Sequence, residues 1–338
     1  MKMKFIPAFA AAAAICSASA CFAAQNSLTY DASVLGPSPV PAMERGLQTA
    51  AAEQWLKVSD GAHELEGATF GPDGALYFCD VTARKVMRVT KDKELSEFAS
   101  FKDFAPGGLA FAPDGRLFAA ALDFPSGRGV IAAIAPDGSK MEYILPPEAG
   151  YMPNDVIFDK NGGFYFSDFK GTPSEPKGGI YYAAPDMKTV SVVAADFAQA
   201  NGVALSPDGT VLWATEFGRN LLYRFELESA VKVSELGTSV PYRFIGPAPD
   251  SMRTDADGNV YVAMYGQGRV MAFNGSGIPI GQILLPGREE ARIATTSLAI
   301  DPGSKEAYIV ARTVKDGGGA WIYRFGAFAH GPAVNVNK

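Results

Sequence analysis

One column of residues recurs six times down the 338-residue chain, and it constrains the fold more than any contiguous motif. Each repeat reads as a short apolar strand, a tight turn and a second strand. The clearest copies are Gly67-Ala-Thr-Phe-Gly-Pro-Asp-Gly74, Gly108-Leu-Ala-Phe-Ala-Pro-Asp-Gly115 and Gly202-Val-Ala-Leu-Ser-Pro-Asp-Gly209. Weaker copies run 155–162, 251–258 and 297–303. The residues just before the six copies are Glu66, Gly107, Asn154, Asn201, Asp250 and Thr296. Two carboxylates and two amides therefore share one repeat position. If the units surround an axis, their oxygens meet there.

The turn glycines Gly74, Gly115, Gly162, Gly209 and Gly258 are 41 to 49 residues apart. Such a period indicates a solenoid or a propeller. The segments are β-branched and aromatic, as in Thr210-Val-Leu-Trp-Ala-Thr and Asn259-Val-Tyr-Val-Ala-Met-Tyr. Asp-Gly between them supplies the positive φ of a hairpin turn, so each unit is an antiparallel meander. Third strands follow, such as Lys85-Val-Met-Arg-Val and Leu221-Leu-Tyr-Arg-Phe, and amphipathic helical periodicity is scarce. Six units predict an all-β, six-bladed β-propeller with a metal site on the central channel. Asp73, Asp114 and Asp208 are read as turn-formers that bond their own backbone.

Residues 1–24 read as a secretory signal peptide. Lys2 and Lys4 precede an Ala-rich apolar run from Phe5 to Ile15, and small residues follow. The run is too short for a membrane span. Ala18-Ser-Ala-Cys21 loosely fits a lipoprotein site, which makes Cys21 an alternative lipid anchor. The mature chain is thus expected in the periplasm or secreted. Residues 25–60 form an N-terminal segment, of which Gln54-Trp-Leu-Lys-Val is expected to pair with the last blade. Residues 61–330 form the propeller and 331–338 a tail. Cys79, alone in the folded part, reads as a small buried hydrophobe. The net charge of −6 becomes −8 without Lys2 and Lys4, and no basic stripe exists, which argues against nucleic acid as a partner.

Glu66, Asn154, Asn201 and Asp250 offer oxygen donors only. Such a set suits Ca²⁺ first and Mg²⁺ or Mn²⁺ next, whereas zinc calls for His or Cys. The two histidines are His63, read as a loop residue three positions before Glu66, and His330 in the tail; a Ser-His-Asp triad is not expected. Tyr265, Arg269, Phe169, Phe217 and Arg219 follow second strands and read first as scaffold, with a pocket role as the alternative. Asp80, Asp168 and Glu216 occupy comparable places and read as strand-end caps.

Glu66-Gly67, Pro153-Asn154-Asp155, Ala200-Asn201-Gly202 and Pro249-Asp250-Ser251 together resemble the metal-site motifs of the gluconolactonase/regucalcin (senescence marker protein) family. Tyr261-Val-Ala-Met-Tyr-Gly-Gln-Gly-Arg-Val and Pro279-Ile-Gly-Gln-Ile-Leu-Leu-Pro-Gly-Arg resemble its bacterial drug-responsive lactonase branch. The resemblance implies a calcium-dependent hydrolase that opens a small-molecule lactone or ester. It implies Glu66, Asn201 and Asp250 as calcium ligands, with Ser251 as an additional one. Asn154 matches the broader family, although the branch usually places Asp there. The branch's second calcium is not expected: Asp123-Phe-Pro-Ser126 resembles part of that site, but Pro146 stands where an acid belongs. A cation at the ring would polarise the lactone carbonyl, with Asp250 assisting proton transfer. The rival readings are a phosphotriesterase like the similar diisopropyl-fluorophosphatase and a non-enzymatic ligand- or partner-binding propeller. A strictosidine-synthase-like role lacks an amine-activating group.

Overall fold

The computed structural model describes Tyr30, residues 34–315 and residues 317–334. The leader 1–24, the alternative anchor Cys21 and residues 335–338 of the tail lie outside the described residues. Six sheets follow one another along the chain, each with its antiparallel strands in sequence order from the axis outward, and N-terminal strands are added at the outer edges of the last two. The innermost strands are Leu65–Phe70, Ala105–Phe111, Pro153–Phe158, Ala200–Leu205, Pro249–Thr254 and Ile293–Ile300. Blades 1 to 6 are numbered in that order. Apolar clusters fill the space between adjacent blades, joining for example Phe118 and Ile131 to Phe158, Phe164 and Phe166.

The predicted turns form for the predicted reason. Gly74, Gly115, Gly162, Gly209 and Gly258 all have φ between +74° and +86°. Asp73, Asp114 and Asp208 each accept a bond from the backbone amide two residues on. The sixth copy differs: Gly303 is absent from the positive-φ set, and Asp301 there instead accepts the Gly303 amide.

Every innermost strand carries a β-bulge at the same place. The register slips between Glu66 and Thr69, Pro106 and Leu109, Pro153 and Val156, Ala200 and Val203, Pro249 and Met252, and Thr295 and Ser297. In each blade the innermost strand spends one more residue than its partner, which re-aims the side chain at the bulge. The bulges coincide with the repeat column of Glu66, Asn154, Asn201 and Asp250. The following residue is Gly in blades 1, 2 and 4 because the next blade is too close for a side chain. A Cβ on Gly67, already at φ +59°, would lie 1.8 Å from the Gly107 carbonyl oxygen, and one on Gly202 would lie 2.8 Å from the Asp250 carbonyl oxygen.

The ring closes through the N-terminal segment. Glu53–Ser59 forms the outermost strand of blade 6, antiparallel to Ala320–Gly326, with Glu53 opposite Arg324 and Lys57 opposite Trp321. Just before it, Thr49–Ala51 adds a parallel fifth strand to blade 5. The turn 42–44 drives Glu44 into blade 5, where its Oε2 lies 2.5 Å from Nη1 of the fully buried Arg269. Tyr242 donates to Glu44 Oε1, and Gln267 and Gln282 accept from Arg269. Arg269, weighed as a pocket residue, is therefore an anchor for the N-terminal segment: its burial requires a counter-charge, and Glu44 is the one within reach. Removing one partner of such a pair strands the other charge. Glu44→Ala is expected to destabilise the protein by about 3–5 kcal/mol in urea unfolding, and the double variant Glu44→Leu/Arg269→Met to recover most of that loss.

Candidate functional site

The bulges bring Glu66, Asn154, Asn201 and Asp250 to the same level of the central channel, each on a different blade. Asn201 and Asp250 are buried, while Glu66 and Asn154 are half-buried. The Asn201 amide donates to the Asp250 carboxylate, and the Ser251 amide donates to Asp250 Oδ1 at 3.1 Å. Glu66 Oε2 accepts from the Gly67 amide at 3.2 Å. Two buried oxygens at this level, Asn201 Oδ1 and Ser251 Oγ, have no hydrogen-bond partner. Thr296, on blade 6, instead turns its hydroxyl to the Leu65 and Val310 carbonyl oxygens and serves as a tie between blades 6 and 1.

Burial pushes both ring carboxyls well above their usual range. For Glu66 the next causes are the charges of Asp250, Glu64 and Asp155; for Asp250 the leading charge is Glu64, partly offset by the Asn201 and Ser251 bonds. Below the ring Asp155 is fully buried and tied to three blades. Its backbone amide donates to the Ser167 hydroxyl in its own blade, and its carboxylate accepts from the Val156 amide at 3.0 Å, the Val203 amide at 3.2 Å and Arg253 Nη1 at 3.0 Å. Asp155 is therefore occupied by structural bonds and does not add a free donor. Above the ring, Glu64 Oε2 accepts from Arg312 Nε at 2.5 Å, and Arg312 also bonds Tyr265. The Glu64 Oε1 atom is buried without a partner.

Four acids and two guanidinium groups thus surround the channel: Glu64, Glu66, Asp155 and Asp250 against Arg253 and Arg312. The excess is two negative charges (4 − 2 = 2). Among the described residues no group of three His, Cys, Asp or Glu side chains comes together as a metal site. The donor set is of another kind, two carboxylates with two amides, and its chemistry matches a hard divalent cation.

At the channel mouth Phe169, Phe217 and Tyr265 run edge to face, with centroids 5.6 and 5.8 Å apart. Leu122 and Met152 extend this apolar wall. Phe169, Phe217 and Tyr265 are therefore rim residues, whereas Arg219 bonds the carbonyl oxygens of Pro173 and Asp196 and braces the small hairpin at 171–176. The three strand-end acids act as caps. Asp80 accepts the Ala83 amide, Asp168 the Met152 amide and Glu216 the Ala198 amide. His63 pairs with Asp80 at 2.7 Å. A cavity of about 850 Å³ lies at the other end of the channel, between the far ends of the innermost strands and residues 330–334 of the tail. The converging donors are not there, so the site is assigned to the ring.

A six-bladed propeller with a bulge-built ring of carboxylate and amide oxygens on its axis is the class that this fold and site define. The model of the SMP-30/Gluconolactonase/LRE-like region matches residues 65–312, and the chain belongs to that family. Lactonase drp35 of Staphylococcus saprophyticus is 41% identical over 299 residues, covering 87% of this chain and 92% of that protein. Among solved structures, a calcium-binding regucalcin from Agrobacterium tumefaciens superposes with a TM-score of 0.69 at 18% identity, covering 86% of this chain and 98% of the other. A gluconolactonase from Xanthomonas campestris gives 0.65 at 20%, covering 86% and 94%. At these identities the structural likenesses speak for the fold, and the six-bladed propeller agrees with them.

Glu64 and Arg312 did not stand out in the sequence. Glu64 lies two residues before the ring position, where the other blades carry Ala, Met or Gln, so a comparison of that second column was the available signal. Because Asp250 carries a buried charge among like charges, Asp250→Asn is expected to raise the melting temperature of metal-free protein at pH 8 by a few °C. Differential scanning calorimetry in chelator checks this, and a lower melting temperature would contradict the electrostatic account.

Proposed function

We propose that the chain is a calcium-dependent lactonase. The observation that carries this reading is the ring itself: two carboxylates and two amides on four blades, with two buried oxygens unpartnered and a two-charge excess around them. The curated relatives at 41% identity, named lactonases, support the reaction class. Glu66, Asn154, Asn201 and Asp250 would hold the ion, with the Ser251 hydroxyl as an additional oxygen. Mg²⁺ and Mn²⁺ satisfy the same oxygen chemistry. When bound, Ca²⁺ supplies Lewis-acid polarisation of the ester carbonyl and charge stabilisation of the developing oxyanion.

The chain's own residues do the rest. Asp250, held by the Ser251 amide and the Asn201 side chain, would take a proton from the attacking water and pass it to the departing ring oxygen. Phe169, Phe217 and Tyr265 cover the mouth with apolar surface and exclude bulk water from the reacting ester. Asp155 and Arg253 close the channel beneath the ring. The expected partner is a small-molecule lactone or ester. No helix among the described residues is long and apolar enough to cross a membrane. The order of basic, apolar and small residues over 1–24 supports export of the mature chain to the periplasm or beyond, with Cys21 as the alternative anchor.

Purified mature protein is expected to hydrolyse members of a small lactone panel, with turnover abolished by chelator and restored by Ca²⁺. Asp250→Asn should lower kcat by about 100-fold or more while remaining folded. Turnover that is indifferent to chelator would remove calcium from the mechanism, and no turnover with Ca²⁺ present would remove the lactonase reading.

The pH dependence has a definite sign. Glu66 and Asp250 start from ordinary values of 4.5 and 3.8 and are raised on folding, chiefly by burial; Asp168 rises to about 6 for the same reason. Native protein then retains protons that unfolded chains release, so the contribution of these groups to metal-free stability is fully present below their ordinary values and is lost as pH rises through the folded ones. A divalent cation pairs with the ionised ring and offsets that decline. The increase in melting temperature on adding Ca²⁺ should therefore be larger at pH 8 than at pH 5, as read by calorimetry.

A further inference from the structure

The strand pairing defines a second ring at the mouth, one level above the donors. Its positions are Val81, Leu122, Phe169, Phe217, Tyr265 and Arg312, each paired with the residue two before the donor column of its blade. Five are apolar or aromatic. The sixth, Arg312, is the exception, and the residue it grips is Glu64 of the adjoining blade, the only acid in its own column. Blade 6 contributes no donor to the lower ring, since Thr296 there bonds backbone carbonyls. Its contribution to the site is this guanidinium.

The pair is built asymmetrically. Arg312 Nε and the Tyr265 contact fix one side of the carboxylate, through Oε2, while Oε1 is left buried with no donor. A buried carboxylate oxygen without a donor is costly, and a hydrogen bond to a charged acceptor is among the stronger ones when formed. Glu64 stands two residues before Glu66, at the level of the mouth, and is the leading charged neighbour of Asp250, which puts its carboxylate beside the ring. The other five positions of the second ring are aliphatic or aromatic, and the Tyr265 hydroxyl among them is engaged with Arg312.

We propose that Glu64, oriented by Arg312, is a specificity-determining hydrogen-bond acceptor that selects lactones carrying a hydroxyl or amide N–H on the ring carbon next to the carbonyl. A substrate with that donor satisfies Oε1 on binding. One without it leaves Oε1 stranded, and a site built around a polar group discriminates strongly against the analogue that cannot pair with it. Arg312 acts through Glu64 and is a positioning residue. The proposal rests on the lactonase reading for its substrate class.

The test compares kcat/KM for α-hydroxy-γ-butyrolactone and γ-butyrolactone in the parent, Glu64→Gln and Arg312→Met. The ratio is divided by the same ratio for uncatalysed alkaline hydrolysis, which removes the intrinsic reactivity of the hydroxylactone. The corrected ratio should be about tenfold or more in the parent and fall towards one in both variants. A corrected parent ratio near one, or one that survives in Glu64→Gln, overturns the proposal. Calorimetric binding of the two corresponding lactams, which resist hydrolysis, separates its failure from that of the lactonase reading. If neither lactone turns over, the lactonase reading fails alone should the parent still prefer the hydroxylactam and Glu64→Gln lose that preference. Equal binding of the lactams, or binding of neither, overturns the acceptor role as well.

Discussion

The approach of six innermost strands to one axis is the constraint on which everything else in this protein depends. The strands come so close that the residue after the donor column must be Gly in three blades, with Gly67 facing the Gly107 carbonyl across a gap too narrow for a methyl group. At that distance the extra residue of each bulge cannot be absorbed along the strand and turns its side chain to the channel. The same bulge repeated on successive blades then produces convergence without any local sequence motif. Like charges that would avoid one another on a flexible chain are forced together, and burial raises both ring carboxyls.

The surrounding structure limits the cost of that arrangement without removing it. Arg253 neutralises Asp155 beneath the ring, and Arg312 engages Glu64 above it. Backbone amides of Gly67 and Ser251 and the Asn201 side chain supply the remaining donors. What is left over is an excess of two acids over guanidinium groups, the unpartnered Asn201 Oδ1 and Ser251 Oγ at the ring, and Glu64 Oε1 above it. Ties such as Thr215, which donates to the Asp250 carbonyl and accepts from the Gly202 amide, hold adjacent blades in the register that the site needs.

Ring closure draws on the chain's beginning as much as its end. Glu53–Ser59 completes blade 6, and the buried Glu44–Arg269 contact fixes the preceding segment on blade 5. Arg269 and Arg219, read first as scaffold with a pocket role as the alternative, serve the frame. Their positions after second strands were correctly read, but position alone does not say whether a long side chain turns to the channel or to the neighbouring loop. Phe169, Phe217 and Tyr265, which directly follow the second strands of their blades, do reach the mouth.

By itself the sequence determined the blade number, the turn chemistry and the donor column, because these are set by local rules: a 41- to 49-residue period, Asp-Gly turns and a repeated polar position at the start of an apolar strand. Only the tertiary structure decided which neighbours of the column matter. Glu64 and Arg312 lie 248 residues apart and meet because blade 6 closes against blade 1; Asp155 and Arg253, 98 apart, meet because blades 3 and 5, on either side of blade 4, both reach the axis. Charge pairing over such separations depends on where a closed ring places two side chains, and no local pattern encodes that.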